Sequence, residues 1–239
     1  MRKIPNLRLS VVLTLMFLFR PFFVGDAQNR NASLESDDVL KVSDSYRLYL
    51  DLNLQNELSY EAFEQAYTGY QKLSVKNPIL TLIDFSKASS KERMYVIDME
   101  QKRVLYQTYV AHGKKSGNNY ATSFSNKMGS QQSSLGFFLT GNTYKGRAGY
   151  SLVLEGLEKG INDKVRARGV VIHGADYANP ETIKSSGRLG RSFGCPALPE
   201  KISKTIIDTI KEGSVLYAYS DRFNQHYLKN SSVLSFKKS

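Results

Sequence analysis

Residues 169–199 read GVVIHGADYANPETIKSSGRLGRSFGCPALP. The stretch opens on Val170, Val171 and Ile172, an apolar run with the length and β-branched character of a buried strand. The run ends on His173, one of three histidines. The only cysteine among 239 residues, Cys195, follows in the turn Ser192-Phe193-Gly194-Cys195-Pro196. A thiol and an imidazole in one glycine-rich segment are the materials of nucleophilic catalysis.

A free thiol has a pKa near 8.5 and is only a few per cent ionised at pH 7, so it needs a base. His173, 22 residues before Cys195, is the near candidate; His112 ends another strand-like run and His226 lies in the tail. No metal is expected, because zinc wants more ligands at tighter spacing. Gly194, lacking Cβ, lets the backbone turn sharply and aim its N–H beside that of Cys195 at a developing oxyanion, each such donor contributing about 10²–10³ in rate. Ser192 supports that turn or bonds the thiolate. A plain turn, an inert buried thiol and an intermolecular link remain alternatives for the same residues.

Composition agrees with a globular chain of one sizeable core. Arg2, Lys3 and Arg8 precede an apolar stretch at 11–19, and Gly25-Asp26-Ala27 offers small residues to a signal peptidase. The apolar stretch is far short of the ~20 residues of a membrane span. Residues 1–27 therefore read as a cleaved signal, with a retained anchor over 10–24 as the alternative. An exported protein is implied, with no stable membrane insertion after cleavage, and a single cysteine leaves it no internal disulfide. Formal charge is +11, and removing 1–27 (four cations, one anion) leaves +8. The cations are dispersed rather than striped among aromatics, which speaks against nucleic acid and for an anionic envelope partner.

Residues 28–42 are polar and aperiodic. Residues 43–73 are helical, with one face of Tyr46, Tyr49 and Leu50 and a second of Phe63, Ala66, Tyr67, Tyr70 and Leu73; Ser59 reads as an N-cap. Strands are expected at 79–85, 94–98, 103–110, 136–140, 150–154, 170–172 and 214–219, with a helix at 201–211 and a long loop at 112–132. Four segments result: a signal (1–27), a flexible lead-in with helices (28–77), a mainly β (α+β) catalytic domain (78–220) and a polar tail (221–239). No regular βαβ alternation supports a doubly wound sheet.

His-before-Cys order sets the chain apart from papain-like peptidases, and sortase-like enzymes separate the pair much further. The segment resembles the catalytic signature of L,D-transpeptidases: His-Gly, a variable loop, then Ser-x-Gly-Cys, here His173, Gly174, Ser192, Gly194 and Cys195. It is most similar to the murein L,D-transpeptidase catalytic-domain-like branch. That branch has Ser-Ser-Leu-Gly, His-Gly-Ala and Gly-Arg-x-x-Gly-Cys-Pro-Ala blocks, here beginning at Ser133, His173 and Gly190. The resemblance covers roughly 79–220 and implies a β-sandwich or barrel domain. Many relatives carry Arg two residues after the Cys, where this chain has Ala197; Arg188 or Arg191 is the expected substitute cation, and Gly174 joins them as substrate-binding.

The resemblance implies acyl transfer on peptidoglycan stem peptides. Cys195 would cleave the L,D-bond before D-Ala through a thioester, His173 would protonate the leaving amine, and no cofactor would be needed. The group that orients His173 is left open: a backbone carbonyl often does so in such enzymes, and Asp176 and Asn179 are close in sequence. A secreted L,D-carboxypeptidase-type hydrolase and a non-catalytic wall-binding protein are the competing readings.

Overall fold

The strand of residues 79–84 is buried along its whole length because both faces of its sheet are covered. In this computed structural model, which describes residues 43–223, β1 (Ile79–Asp84) turns Ile79 and Ile83 to one apolar cluster and Leu80 and Leu82 to the other. β8 (Val215–Tyr219) divides likewise, Leu216 and Ala218 against Val215, Tyr217 and Tyr219. This is the period of two of a pleated strand, hidden in sequence as a continuous apolar run. Each fully buried Leu or Ile contributes about 1.5–3 kcal/mol.

Between these lie β2 (Met94–Asp98), β3 (Arg103–Thr108), β4 (Gly136–Gly146), β5 (Gly149–Gly156), β6 (Val171–Ala175) and β7 (Ala197–Pro199), in one sheet of order β3-β2-β1-β8-β4-β5-β6-β7 among the described residues. β1–β8 and β6–β7 pair parallel and the other neighbours antiparallel. The outer strands β3 and β7 are tied through Ala111, just beyond β3, whose N–H donates to Ala197 C=O at 2.8 Å and whose C=O accepts from Ala197 N–H at 3.3 Å. The sheet therefore nearly closes on itself, as a mainly β domain should to hide its edges.

α4 (Glu200–Ile210) buries Ile206, Ile207 and Ile210 in one cluster, while α1 (Asp44–Asp51) and α2 (Tyr60–Gln71) cover the other face. Ser59 caps α2 by accepting from Ala62 N–H. The α1 face differs from the expected one. Ser45, Leu48, Tyr49 and Leu52 are buried at i, i+3, i+4, i+7 spacing, and Tyr46 and Leu50 are exposed. The helices of the lead-in thus share a core with the sheet.

β4 runs six residues past the expected Thr140 because its outer arm alternates exposed polar residues that leave no apolar period. α3 (Pro180–Ser186) was read as loop; Pro180 opens it at a position where a missing N–H costs nothing. The signal reading of 1–27, the polar lead-in to residue 42 and the tail from 224 lie outside the described residues. No described helix is long and apolar enough to cross a membrane.

Candidate active site

β6 carries His173, whose Cα partners are Ser151 on β5 and Ala197 on β7. The parallel register with β7 brings Cys195, two residues before Ala197, level with Val171, two residues before His173. His173 is 8% exposed, and its Nδ1 lies 2.8 Å from the Gly174 carbonyl. A carbonyl only accepts, so Nδ1 carries the proton and neutral His173 keeps a lone pair on Nε2. A Cβ on Gly174 would fall 2.4 Å from Ser203 Oγ of α4, so this residue packs a helix against the strand as well as orienting the imidazole.

The Ser192 hydroxyl closes the nucleophile turn from within. It donates to Cys195 C=O at 2.6 Å and accepts the Gly194 N–H at 3.0 Å. This changes the expected oxyanion pair: Gly194 N–H is spent on Ser192, and among the described residues no acceptor meets the Cys195 N–H. Gly194 earns its place by its backbone, at φ +131° with a would-be Cβ 3.0 Å from the Gln132 carbonyl. Ser133 Oγ ties the turn to its neighbour, accepting from Gly113 N–H at 3.0 Å and donating to Gly194 C=O at 3.3 Å.

Cys195 is part-buried against the main apolar cluster. Its Sγ accepts from Val171 N–H at 3.5 Å and faces Gly169 C=O at 3.9 Å; among the described residues it makes no hydrogen bond to His173. Burial pushes the thiol above its ordinary value, while the Val171 N–H and the Arg168 guanidinium pull it back.

The expected substrate cations hold backbone instead: Arg188 donates to its neighbour Leu189 C=O at 2.7 Å and Arg191 to Gly117 C=O at 3.0 Å. His112 is fully buried, its Nδ1 accepting from Arg93 Nη2 at 2.8 Å. Burial, then the Arg93 charge, pushes it down to about 3, so it is neutral. His226 lies outside the described residues. No cluster of metal-ligating side chains occurs among them.

Two residues near the thiol escaped the sequence reading. Arg168 sits in a run of surface-like cations with no period to mark it. Tyr177 follows the His-Gly-Ala-Asp run, and burial, then Cys195 and Asp176, raise its phenol to about 12.

The family model of the L,D-transpeptidase catalytic domain matches residues 54–219. This chain belongs to that family. The match begins just before α2 and spans His173 and Cys195. Among solved structures, an L,D-transpeptidase from Mycobacterium smegmatis is similar at 15% identity, with 59% of this chain and 58% of that one covered and a TM-score of 0.37. The helical cell shape determining protein of Campylobacter jejuni is similar at 14% identity, with 62% and 49% covered and a TM-score of 0.41. An L,D-transpeptidase of Xylanimonas cellulosilytica is similar at 15% identity, with 66% and 68% covered and a TM-score of 0.34. The chain thus spans less than two-thirds of the length of the first two. No curated protein matches it.

Proposed function

We propose that this L,D-transpeptidase-family chain is a cell-wall cysteine acyltransferase acting, outside the cytoplasmic membrane, on peptidoglycan tetrapeptide stems. Cys195 Sγ gives its proton to His173 Nε2 and attacks the carbonyl carbon between the third residue and D-Ala, forming a C–S bond. The oxyanion is met by the free Cys195 N–H. The C–N bond then breaks, D-Ala leaves as an amine protonated from His173 Nε2, and a thioester remains. An acceptor amine attacks the thioester and passes its proton to His173, the C–S bond breaks, and His173 returns the proton to the departing Cys195 sulfur.

The observation that carries this reading is the β6–β7 register, which pairs His173, its Nδ1 held by the Gly174 carbonyl, with Ala197, two residues from Cys195. Catalytic hydrogen bonds are often long before substrate binds, and the pair tightens in the complex. For Arg188 or Arg191 to grip a stem carboxylate, each would have to release the carbonyl it now holds.

Intact-protein mass spectrometry after incubation with disaccharide-tetrapeptide tests the reading. It predicts an acyl adduct on Cys195 with D-Ala lost, absent from Cys195→Ala, and cross-linked dimers among the products. Tripeptide without dimers would make the enzyme a hydrolase. Folded protein giving neither adduct nor product would leave only a wall-binding role.

A further inference from the structure

Residues 168–171 form a cradle around the thiol. Val171 N–H points at Sγ, Gly169 C=O faces it, and Arg168 lies against the same turn, its Nη2 3.4 Å from where a Cβ on Gly194 would stand. Arg168 is anchored by Nη1 to Ser125 C=O at 2.6 Å and Ser134 Oγ at 2.5 Å, and by Nη2 to Ser130 Oγ at 3.1 Å and Gln132 C=O at 2.6 Å. All four acceptors are neutral. None of the ion pairs among the described residues includes Arg168. The acids of the adjoining turn are engaged elsewhere, Asp163 by Asn126 and the Gly160 N–H and Glu158 by the Phe137 N–H.

A half-buried guanidinium fixed by neutral groups keeps an uncompensated charge, which in a partly desolvated site needs an anion. The anion that the fold can place there is the Cys195 thiolate. We propose that Arg168 is the cation that meets the Cys195 thiolate as it forms and, through its four bonds, the clamp that fixes residues 125–134 under the Cys195 turn. It is a positioning residue, since it does not touch the reacting carbonyl. The inference rests on Cys195 being the nucleophile. It assigns to Arg168, rather than to His173 alone, the task of offsetting the cost that burial puts on ionising the sulfur, in line with the missing Cys195–His173 hydrogen bond. The direction of the Arg168 effect on the thiol agrees.

The groups that act on the thiol's charge are the Val171 N–H and Arg168, and the Tyr177 phenol feels it in turn; His173 follows two residues after Val171 on β6. The test is the pH dependence of Cys195 alkylation by iodoacetamide, read by mass, with melting temperature as the fold control. Arg168→Gln, which keeps amide donors but no charge, should raise the alkylation midpoint by about 1–2 pH units. Arg168→Lys should stay within about half a unit of the parent, and His173→Gln should move it less than Arg168→Gln does. A folded Arg168→Gln protein with the parental midpoint, or a larger shift in His173→Gln, overturns the assignment.

If Arg168→Gln does not fold, the parent carries the test in the His173→Gln background. Raising salt from about 0.1 M to about 1 M shortens the screening length from about 10 to 3 Å and should lift the midpoint by a few tenths of a unit; an immobile midpoint overturns the proposal. Ionisation is read without substrate. Failure of the acyltransferase reading would therefore show as a midpoint shift without a tetrapeptide adduct, and failure of this inference as an adduct without a shift.

Discussion

His112 and His173 look alike in sequence, each ending an apolar run and each followed by glycine. Both also reach the nucleophile turn through backbone: His112 C=O accepts Ser192 N–H, and His173 pairs with Ala197. The chemistry diverges at Nδ1. His173 gives its proton to a carbonyl of its own strand and keeps a basic Nε2 at a slightly exposed site. His112 Nδ1 accepts a hydrogen bond from Arg93, itself fully buried and lowered to about 9 by burial, and its ring stands edge-on to Phe85. The partner of one nitrogen decides whether a histidine is a base or a wedge.

The sharpest way to break that contrast starts at the sulfur both strands serve. Cys195→Ala should lower tetrapeptide turnover by at least about 10⁴-fold while leaving the melting temperature near the parent; retained turnover would empty the site of meaning. His173→Gln should cost about 10²–10⁴ in rate with little change in thermal unfolding. His112→Ala should do the reverse, losing about 2–4 kcal/mol of stability in denaturant titrations because Arg93 loses an acceptor and a cavity opens. Equal loss of stability in both variants would erase the distinction.

Acid offers a subtler probe. Folded His112 takes its proton near pH 3, whereas in the unfolded chain it does so near 6.5. Between those values the unfolded chain binds more protons, so His112 makes stability fall as pH drops through that window. His112→Gln should flatten the fall in melting temperature between pH 6.5 and about 4. The smallest effect separates the two glycines. A Cβ on Gly113 would meet backbone, Gln131 C=O at 2.6 Å, whereas one on Gly174 would meet the movable Ser203 hydroxyl. Gly113→Ala should cost about 1–2 kcal/mol more than Gly174→Ala, and Ser203→Ala should relieve the latter.

Most of the strands were legible because β-branched and aromatic runs mark them, and His173, Ser192, Gly194 and Cys195 because their residue types are rare or diagnostic. The outer arm of β4 was not, since exposed polar alternation has no apolar period. β7 was not either: three residues become a strand only through β6 on one side and Ala111 on the other. Arg168 was invisible for a third reason. Its meaning lies in which neighbours lack a negative charge, and sequence spacing does not register that.

The Ala111–Ala197 tie also has a consequence away from chemistry. Unpaired outer strands invite other chains to add on, and here the two outermost strands are bound to each other where the thiol-bearing turn begins β7. With Pro196 and Pro199 on either side of the tie, β7 presents few free donors to a passing strand. The seam at which the Cys195 turn enters β7 is thus also a guard against self-association. Loosening it would expose an aggregation-prone margin together with a disarmed nucleophile.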